Sequence, residues 1–213
     1  MILEGFKFSI SFLKGNFGKL FTILSLPLIL DLALSLTLSF YEIDQDAVVS
    51  FLVVTLGAFI QTWAQCIVIL LIVDTGSKRT TSDLYIYSLY KLPMIILWSL
   101  VVGIAITLGF LLLILPGIYI ALRYSFYIFE ILLSTKKSSD AIKETFAMTE
   151  KKALEIFIYF LPLITLIIFL SVVIFSFTNL LLVQVLYTYL LITFSSAYSF
   201  YLYNKIKTDV DEA

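Results

Sequence analysis

Three ionisable residues stand alone in long apolar surroundings: Asp31, Arg123 and Glu130. Isolated charges of this kind can do three things. They can pair with one another, carry a proton, or coordinate a polar solute. Two amides extend the set. Gln61 and Gln65 are four residues apart and share a helical face. With Glu130 they are candidates for one polar cluster, either binding or structural. Asp31 and Arg123 are expected to form an ion pair. Two facing acids would suit an intramembrane hydrolase, but Asp31 and Glu130 are expected at different depths, and no catalytic residue is assigned. The sequence has no histidine. That excludes His-ligated metal and haem sites, Ser–His and Cys–His dyads, and histidine relays. No metal and no cofactor are expected. The single cysteine, Cys66, reads as a small apolar core residue.

The elements that must position these groups follow from composition. The chain has 213 residues, 61% hydrophobic and 14% charged. Ordinary soluble domains are about 45–50% apolar and about 25% charged. A soluble fold of this size leaves more than a quarter of its surface exposed and cannot hide the excess. A net charge of −1 offers no basic footprint for nucleic acid. The expected fold class is all-α: a polytopic membrane bundle of six transmembrane helices in a single domain, 1–213.

A span needs about 20 mostly apolar residues. Six segments qualify, at about 20–40, 48–73, 92–115, 118–133, 154–175 and 179–203. Leu92–Leu122 carries no charge, and one straight helix there would be about 46 Å long against a hydrocarbon core of about 30 Å. Pro116-Gly117 is the expected reversal. Ile156–Tyr203 is likewise free of charge, and Asn179 is the expected N-cap after Ser176-Phe177-Thr178. Charge placement supports the division. With both termini inside, every lysine and arginine except Arg123 falls on one side, and Tyr41–Asp46 on the other side is purely acidic. The positive-inside rule makes that basic side cytoplasmic. No cleavable signal peptide is expected, because the first apolar run begins near residue 20 and is long enough to span.

The basic segments are amphipathic. In 2–15, Leu3, Phe6, Ile10 and Leu13 form one face and Glu4, Lys7, Ser11 and Lys14 another. Ser82–Lys91 is a weaker example, with Leu84 and Leu89. In the third, Ser138 or Ser139 is the expected cap, Asp140 lies in the first turn, and Ile142, Thr145, Phe146 and Thr149 form the apolar stripe. Such helices are expected in the interface, with Lys7, Lys14, Lys78, Arg79, Lys136, Lys137, Lys143, Lys151 and Lys152 toward anionic lipid headgroups. Tyr41, Tyr119, Tyr201 and Tyr203 fall where interfacial anchors belong. The pattern of amphipathic helix, span, span allows three helix-hairpin repeats. Leu26-Pro27-Leu28 recurs 135 residues later as Leu161-Pro162-Leu163.

One stretch carries a family resemblance. Leu115-Pro116-Gly117, Arg123 six residues after the glycine, Glu130, then Asp140-Ala141-Ile142-Lys143 and Met148-Thr149 resemble the YciC-like family of bacterial inner-membrane proteins. They also resemble the related membrane domains attached to some glycerophosphodiester phosphodiesterases. Phe17-Gly18-Lys19-Leu20-Phe21 fits the family's opening. The specific part of the resemblance is Leu115–Thr149. It implies a six-span bacterial inner-membrane protein without assigned chemistry. No phosphodiesterase domain is expected in these 213 residues, and that activity is not carried over.

Three functional classes follow. The favoured one is a non-enzymatic membrane protein: a scaffold, an accessory subunit, or a factor in membrane homeostasis. Its partners would be anionic lipids, with a protein partner or a second copy also open. The second is a small transporter or channel for a lipid-like solute, which would have to rest on the first, second and fourth spans. The third is an intramembrane enzyme.

Overall fold

A computed structural model describes residues 1–40, 47–74, 80–177 and 180–211. These residues form eight α-helices and no strand: α1 Ile2–Phe40, α2 Ala47–Val73, α3 Thr81–Leu112, α4 Ile114–Arg123, α5 Tyr127–Leu133, α6 Ser138–Thr149, α7 Ala153–Phe177 and α8 Leu181–Asp211. Six segments are long and apolar enough to cross a membrane: α1, α2, α3, α4 with α5, α7, and α8. The chain is therefore an all-α, multi-pass membrane bundle.

The C-terminal half of α2 is its centre. Trp63, Ala64 and Cys66–Ile72 are almost wholly covered, and α1, α3, α5 and α8 surround them. The α7 helix is the least buried of the six.

The first two amphipathic segments do not form separate interfacial helices. Residues 2–15 and 82–91 run straight on into their spans as parts of α1 and α3. At 39 and 32 residues, these helices are about 58 and 48 Å long and exceed the hydrocarbon core. Helix α1 stays continuous because its leading segment has its own packing partner. The buried stripe is Gly5, Ser9 and Phe12, while Leu3 and Ile10 are exposed. Gly5 lets the backbone meet α8 closely, since a Cβ there would lie 2.8 Å from the Tyr198 ring. Phe6 packs on Phe194 and Tyr198, and Phe8 on Tyr201. Close approach of small residues thus outweighs the bulkier stripe that periodicity suggests. Helix α3 begins with a capping box: the Thr80 side chain accepts from the Asp83 amide, and the Asp83 carboxylate accepts from the Thr80 amide.

The reversal after α3 comes at Leu113, in extended conformation, not at Pro116-Gly117. Pro116 instead lies in the first turn of α4, where its missing N–H has no intrahelical acceptor to lose. Gly117 serves packing. A Cβ there would lie 2.5 Å from the Phe110 ring, and one on Gly109 would lie 2.8 Å from the Gly117 Cα. The two glycines seat the α3–α4 hairpin backbone to backbone.

The fourth span is not one helix. It breaks at residues 124–126, where the Ser125 hydroxyl donates to the Leu122 carbonyl at 2.9 Å. Helix α6 is a separate helix as expected, with Asp140 in its first turn. Its N-cap is Lys137, without a side-chain cap, not Ser138 or Ser139. Its buried face is Ala141, Ile142, Thr145, Met148 and Thr149, while Phe146 is largely exposed. Only this third unit separates its amphipathic helix from the following span. Helix α8 continues eight residues past the expected end at 203. Asn179 and the Tyr41–Asp46 segment lie outside the described residues.

Candidate functional site: a polar layer at the basic end of the bundle

The sequence-predicted polar residues form three separate groups. Arg123 closes the last turn of α4, is 2% exposed, and faces α6. Its Nη1 donates to the Tyr119 hydroxyl at 2.7 Å, and its Nη2 to the Phe146 carbonyl at 2.8 Å. The guanidinium carbon stands 3.5 Å from the centroid of the Phe146 ring. Phe146 is in the final turn of α6, where its carbonyl meets the Thr149 hydroxyl only at 3.3 Å and, among the described residues, no backbone amide, and that end of the helix attracts positive charge. In return, the Thr149 hydroxyl lies 2.9 Å from the Arg123 carbonyl, in the final turn of α4, and shares its one proton between that carbonyl and the Thr145 carbonyl at 2.8 Å. Helices α4 and α6 thereby cap each other's C-termini. The Arg123 Nε is buried and makes no hydrogen bond.

Arg123 does not meet Asp31. Among the described residues its partners are the hydroxyl, the carbonyl and the two rings just named, with Tyr119 the second ring. The expected ion pair rested on matched depth, and depth does not fix the direction in which a side chain leaves its helix.

Asp31 is 5% exposed and faces α2. The Gln61 amide donates to its Oδ2 at 3.4 Å, and its Oδ1 lies over the bare face of Gly57. Gln65 is half-buried and joins no hydrogen bond among the described residues. Neither glutamine reaches Glu130.

Glu130 is 1% exposed and belongs to a network with α8 and α6. Its Oε1 accepts from the Tyr203 hydroxyl and from the Lys207 ammonium, each at 2.7 Å. Lys207 also donates to the Tyr203 hydroxyl at 2.9 Å and lies 4.0 Å from Glu144. Glu144 in turn holds Lys136 at 2.6 Å. The series Glu130, Lys207, Glu144, Lys136 runs from full burial to open exposure. The Glu144 carboxylate, by hydrogen bond and charge, holds the Lys136 ammonium above the ordinary lysine range. Tyr203, expected as an interfacial anchor, is buried in this network. Tyr201 donates to Glu4 at 2.8 Å, and Tyr119 is Arg123's acceptor.

The remaining basic residues divide. Lys7, Lys14, Lys137, Lys143 and Lys151 are exposed. Lys152 is held by Asp209 at 3.0 Å, and Lys136 by Glu144. Lys78 and Arg79 lie outside the described residues.

Sequence reasoning missed three participants: Lys207, Phe146 and Thr149 as partners of the buried charges. For Lys207 a signal existed. It follows Tyr203 by four residues, so the two share a helical face once α8 is allowed to continue. Among the described residues no group of histidine, cysteine or acidic side chains could hold a metal. Chemically, this layer is suited to holding helices in register and presenting lysines, because Arg123 and Glu130 are already engaged. The motif residues Gly117, Arg123, Glu130, Ala141 and Thr149 all lie at the contacts joining α3, α4, α5, α6 and α8. Comparison with family models, with curated proteins and with solved structures yields no match.

Proposed function

We propose that this chain is a non-enzymatic inner-membrane protein of YciC-like type, with both termini cytoplasmic. Its role would be that of a scaffold or accessory subunit in membrane homeostasis, seated on anionic headgroups through its lysine-rich end. One observation carries this reading. The buried charges Arg123 and Glu130 are used to join α4, α5, α6 and α8, while Lys7, Lys14, Lys137, Lys143 and Lys151 at the same end stay exposed. Charge spent on helix joining is unavailable for catalysis or conduction, and exposed lysines at a bilayer surface attract anionic lipid at about 1 kcal/mol each.

Topology is tested by single cysteines replacing Lys14 and Lys151, probed with a membrane-impermeant thiol reagent. Native Cys66 is fully buried and stays silent in folded protein. Labelling only after the cytoplasmic side is opened is the expected outcome, and labelling of intact cells at either position overturns the orientation.

A second reading, transport of a lipid-like solute, has one observation in its favour. Asp31 is a mid-span carboxylate whose one hydrogen-bond partner among the described residues is Gln61, at the long distance of 3.4 Å. Solute flux in proteoliposomes that vanishes in a well-folded Asp31→Asn variant would replace the first reading with this one.

A further inference from the structure

Between α3 and the α5–α6 connection lies a cleft of about 550 Å³. Lys91, Lys136 and Lys137 line one part of it, with Ser138 at the start of α6. Pro93, Met94 and Leu97 of α3 line the other, with Ile131 behind them. No carboxylate is in the lining. We propose that this cleft binds one anionic glycerophospholipid, its phosphate against Lys91 and Lys137 and an acyl chain along Met94 and Leu97. The proposal rests on the reading that the lysine-rich end meets anionic headgroups, and it adds a discrete site to that surface.

Depth supports a lipid over a soluble phosphate. Lys91 precedes the end of α3 at Leu112 by 21 residues, about 31 Å, which matches the hydrocarbon thickness. Lys91 therefore stands at headgroup level, and Met94 and Leu97 lie on the next two turns, inside the apolar slab. Both are exposed on the bundle surface, so the cleft opens sideways to lipid. A free phosphate would leave that wall unused.

The cations are free to respond. Among the described residues the Lys91 ammonium has only a 3.4 Å contact with the Ser134 carbonyl and a distant position over the Tyr87 ring. Lys137 has no ion pair among the described residues. Lys136 is committed to Glu144 and contributes less. Lys137 provides no side-chain cap to α6, and Ser138 at the start of this 12-residue helix lines the same cleft. Two converging lysines, a helix start and an apolar wall match the head and upper tail of an anionic lipid in charge and polarity.

The test uses the full chain purified in detergent. It is titrated with dioleoylphosphatidylglycerol or dioleoylphosphatidylcholine in mixed micelles, and native mass spectrometry counts retained lipid. The wild type is expected to keep one phosphatidylglycerol in preference to phosphatidylcholine. The Lys91→Gln/Lys137→Gln pair should weaken that retention about tenfold. The Lys14→Gln/Lys151→Gln pair, which removes the same charge elsewhere on this end, should change it less than twofold. Leu97→Trp, which fills the apolar wall and keeps every lysine, should also lower retention. Equal losses from the two lysine pairs would overturn the site while leaving diffuse attraction to headgroups intact. No preference for phosphatidylglycerol in the wild type would overturn both. Competition by glycerol 3-phosphate as effective as the lipid, or full retention in Leu97→Trp, would refute the lipid assignment.

Discussion

Arg123→Leu tests the mutual capping of α4 and α6 most directly. The substitution removes two charge-assisted hydrogen bonds and a ring contact. The Tyr119 hydroxyl belongs to a half-exposed residue, so its side chain is free to turn toward another partner once the guanidinium is gone. The Phe146 carbonyl loses its charged donor at the α6 terminus and keeps only the longer contact from the Thr149 hydroxyl, which costs about 1–3 kcal/mol. The cation–ring contact adds about 0.5–2 kcal/mol. Relief of guanidinium desolvation offsets part of this, leaving a net loss of about 2 kcal/mol. For a chain of this size that lowers the melting temperature by about 4–8 °C. The assay is thermal unfolding in detergent, read by helical circular dichroism. Arg123→Lys should recover only part of the loss, because one ammonium cannot serve two acceptors in fork geometry. Combining Arg123→Leu with Tyr119→Phe should cost less than the sum of the singles, whereas combining it with Asp31→Asn should be additive within about 0.5 kcal/mol. Coupling of Asp31 to Arg123 above about 1 kcal/mol, or rescue of each single reversal by the Asp31→Arg/Arg123→Asp double, would refute the capping assignment.

Four further outcomes follow from the same geometry. Lys207→Met should destabilise more than Glu130→Gln, because it strands a carboxylate that is 1% exposed, whereas Lys207, 36% exposed, can relax toward Glu144 and water; chemical denaturation of the two variants in detergent decides the order. Gly109→Ala and Gly117→Ala should each cost about 1–3 kcal/mol by overpacking, while Gly15→Ala, Gly18→Ala and Gly103→Ala, which meet nothing within 4 Å, should be neutral or stabilising by up to about 1 kcal/mol in the same melts. Pro27 lies within α1 and lacks the N–H that would serve the Ile23 carbonyl, and the Tyr85 hydroxyl of α3 donates there instead; Tyr85→Phe should cost about 1 kcal/mol, and much less in a Pro27→Ala background, as measured by a double-mutant cycle. Thr149→Val should lower stability by about 1 kcal/mol through the Arg123 carbonyl, and that loss should persist when residue 123 is leucine, because the acceptor is the backbone carbonyl.

The six spans were legible because uninterrupted apolar runs are a composition signal, and their placement survives in α1, α2, α3, α4 with α5, α7 and α8. What failed was local. Pro116-Gly117 looked like a turn, but proline is tolerated in a first turn and glycine is needed where backbones touch; only the partner Phe110 reveals the second use. The stripe Leu3, Phe6, Ile10, Leu13 was the better hydrophobic face. The buried one is Gly5, Ser9, Phe12, because in lipid small residues that admit close approach favour helix contact more than large ones do. The pairing of Asp31 with Arg123 was read from depth along straight helices, and a break at residues 124–126 sits between Arg123 and Glu130. Azimuth was the missing information, and a single sequence does not carry it.

This failure points to what the polar layer does for the fold. Lipid tails are as apolar as leucine, so apolar surface alone gives membrane helices little reason to choose one neighbour over another. Here the charged and hydroxyl groups help to make that choice. Arg123 and Thr149 tie α4 to α6, Glu130 ties α5 to α8 through Tyr203 and Lys207, and Lys152 with Asp209 ties the start of α7 to the end of α8. Helix α7, which has the fewest burial contacts along its span, is held at its lysine-rich end by such a pair. Asp31 differs from all of these. Its partner Gln61 lies on the adjacent helix α2, which already packs on α1, and the bond is long. The contact adds little to the choice of neighbours, yet the carboxyl still bears the cost of burial in the span. Of the buried charges in this bundle, Asp31 is thus the one whose presence the fold itself does not explain, and substitutions there should move function before they move stability.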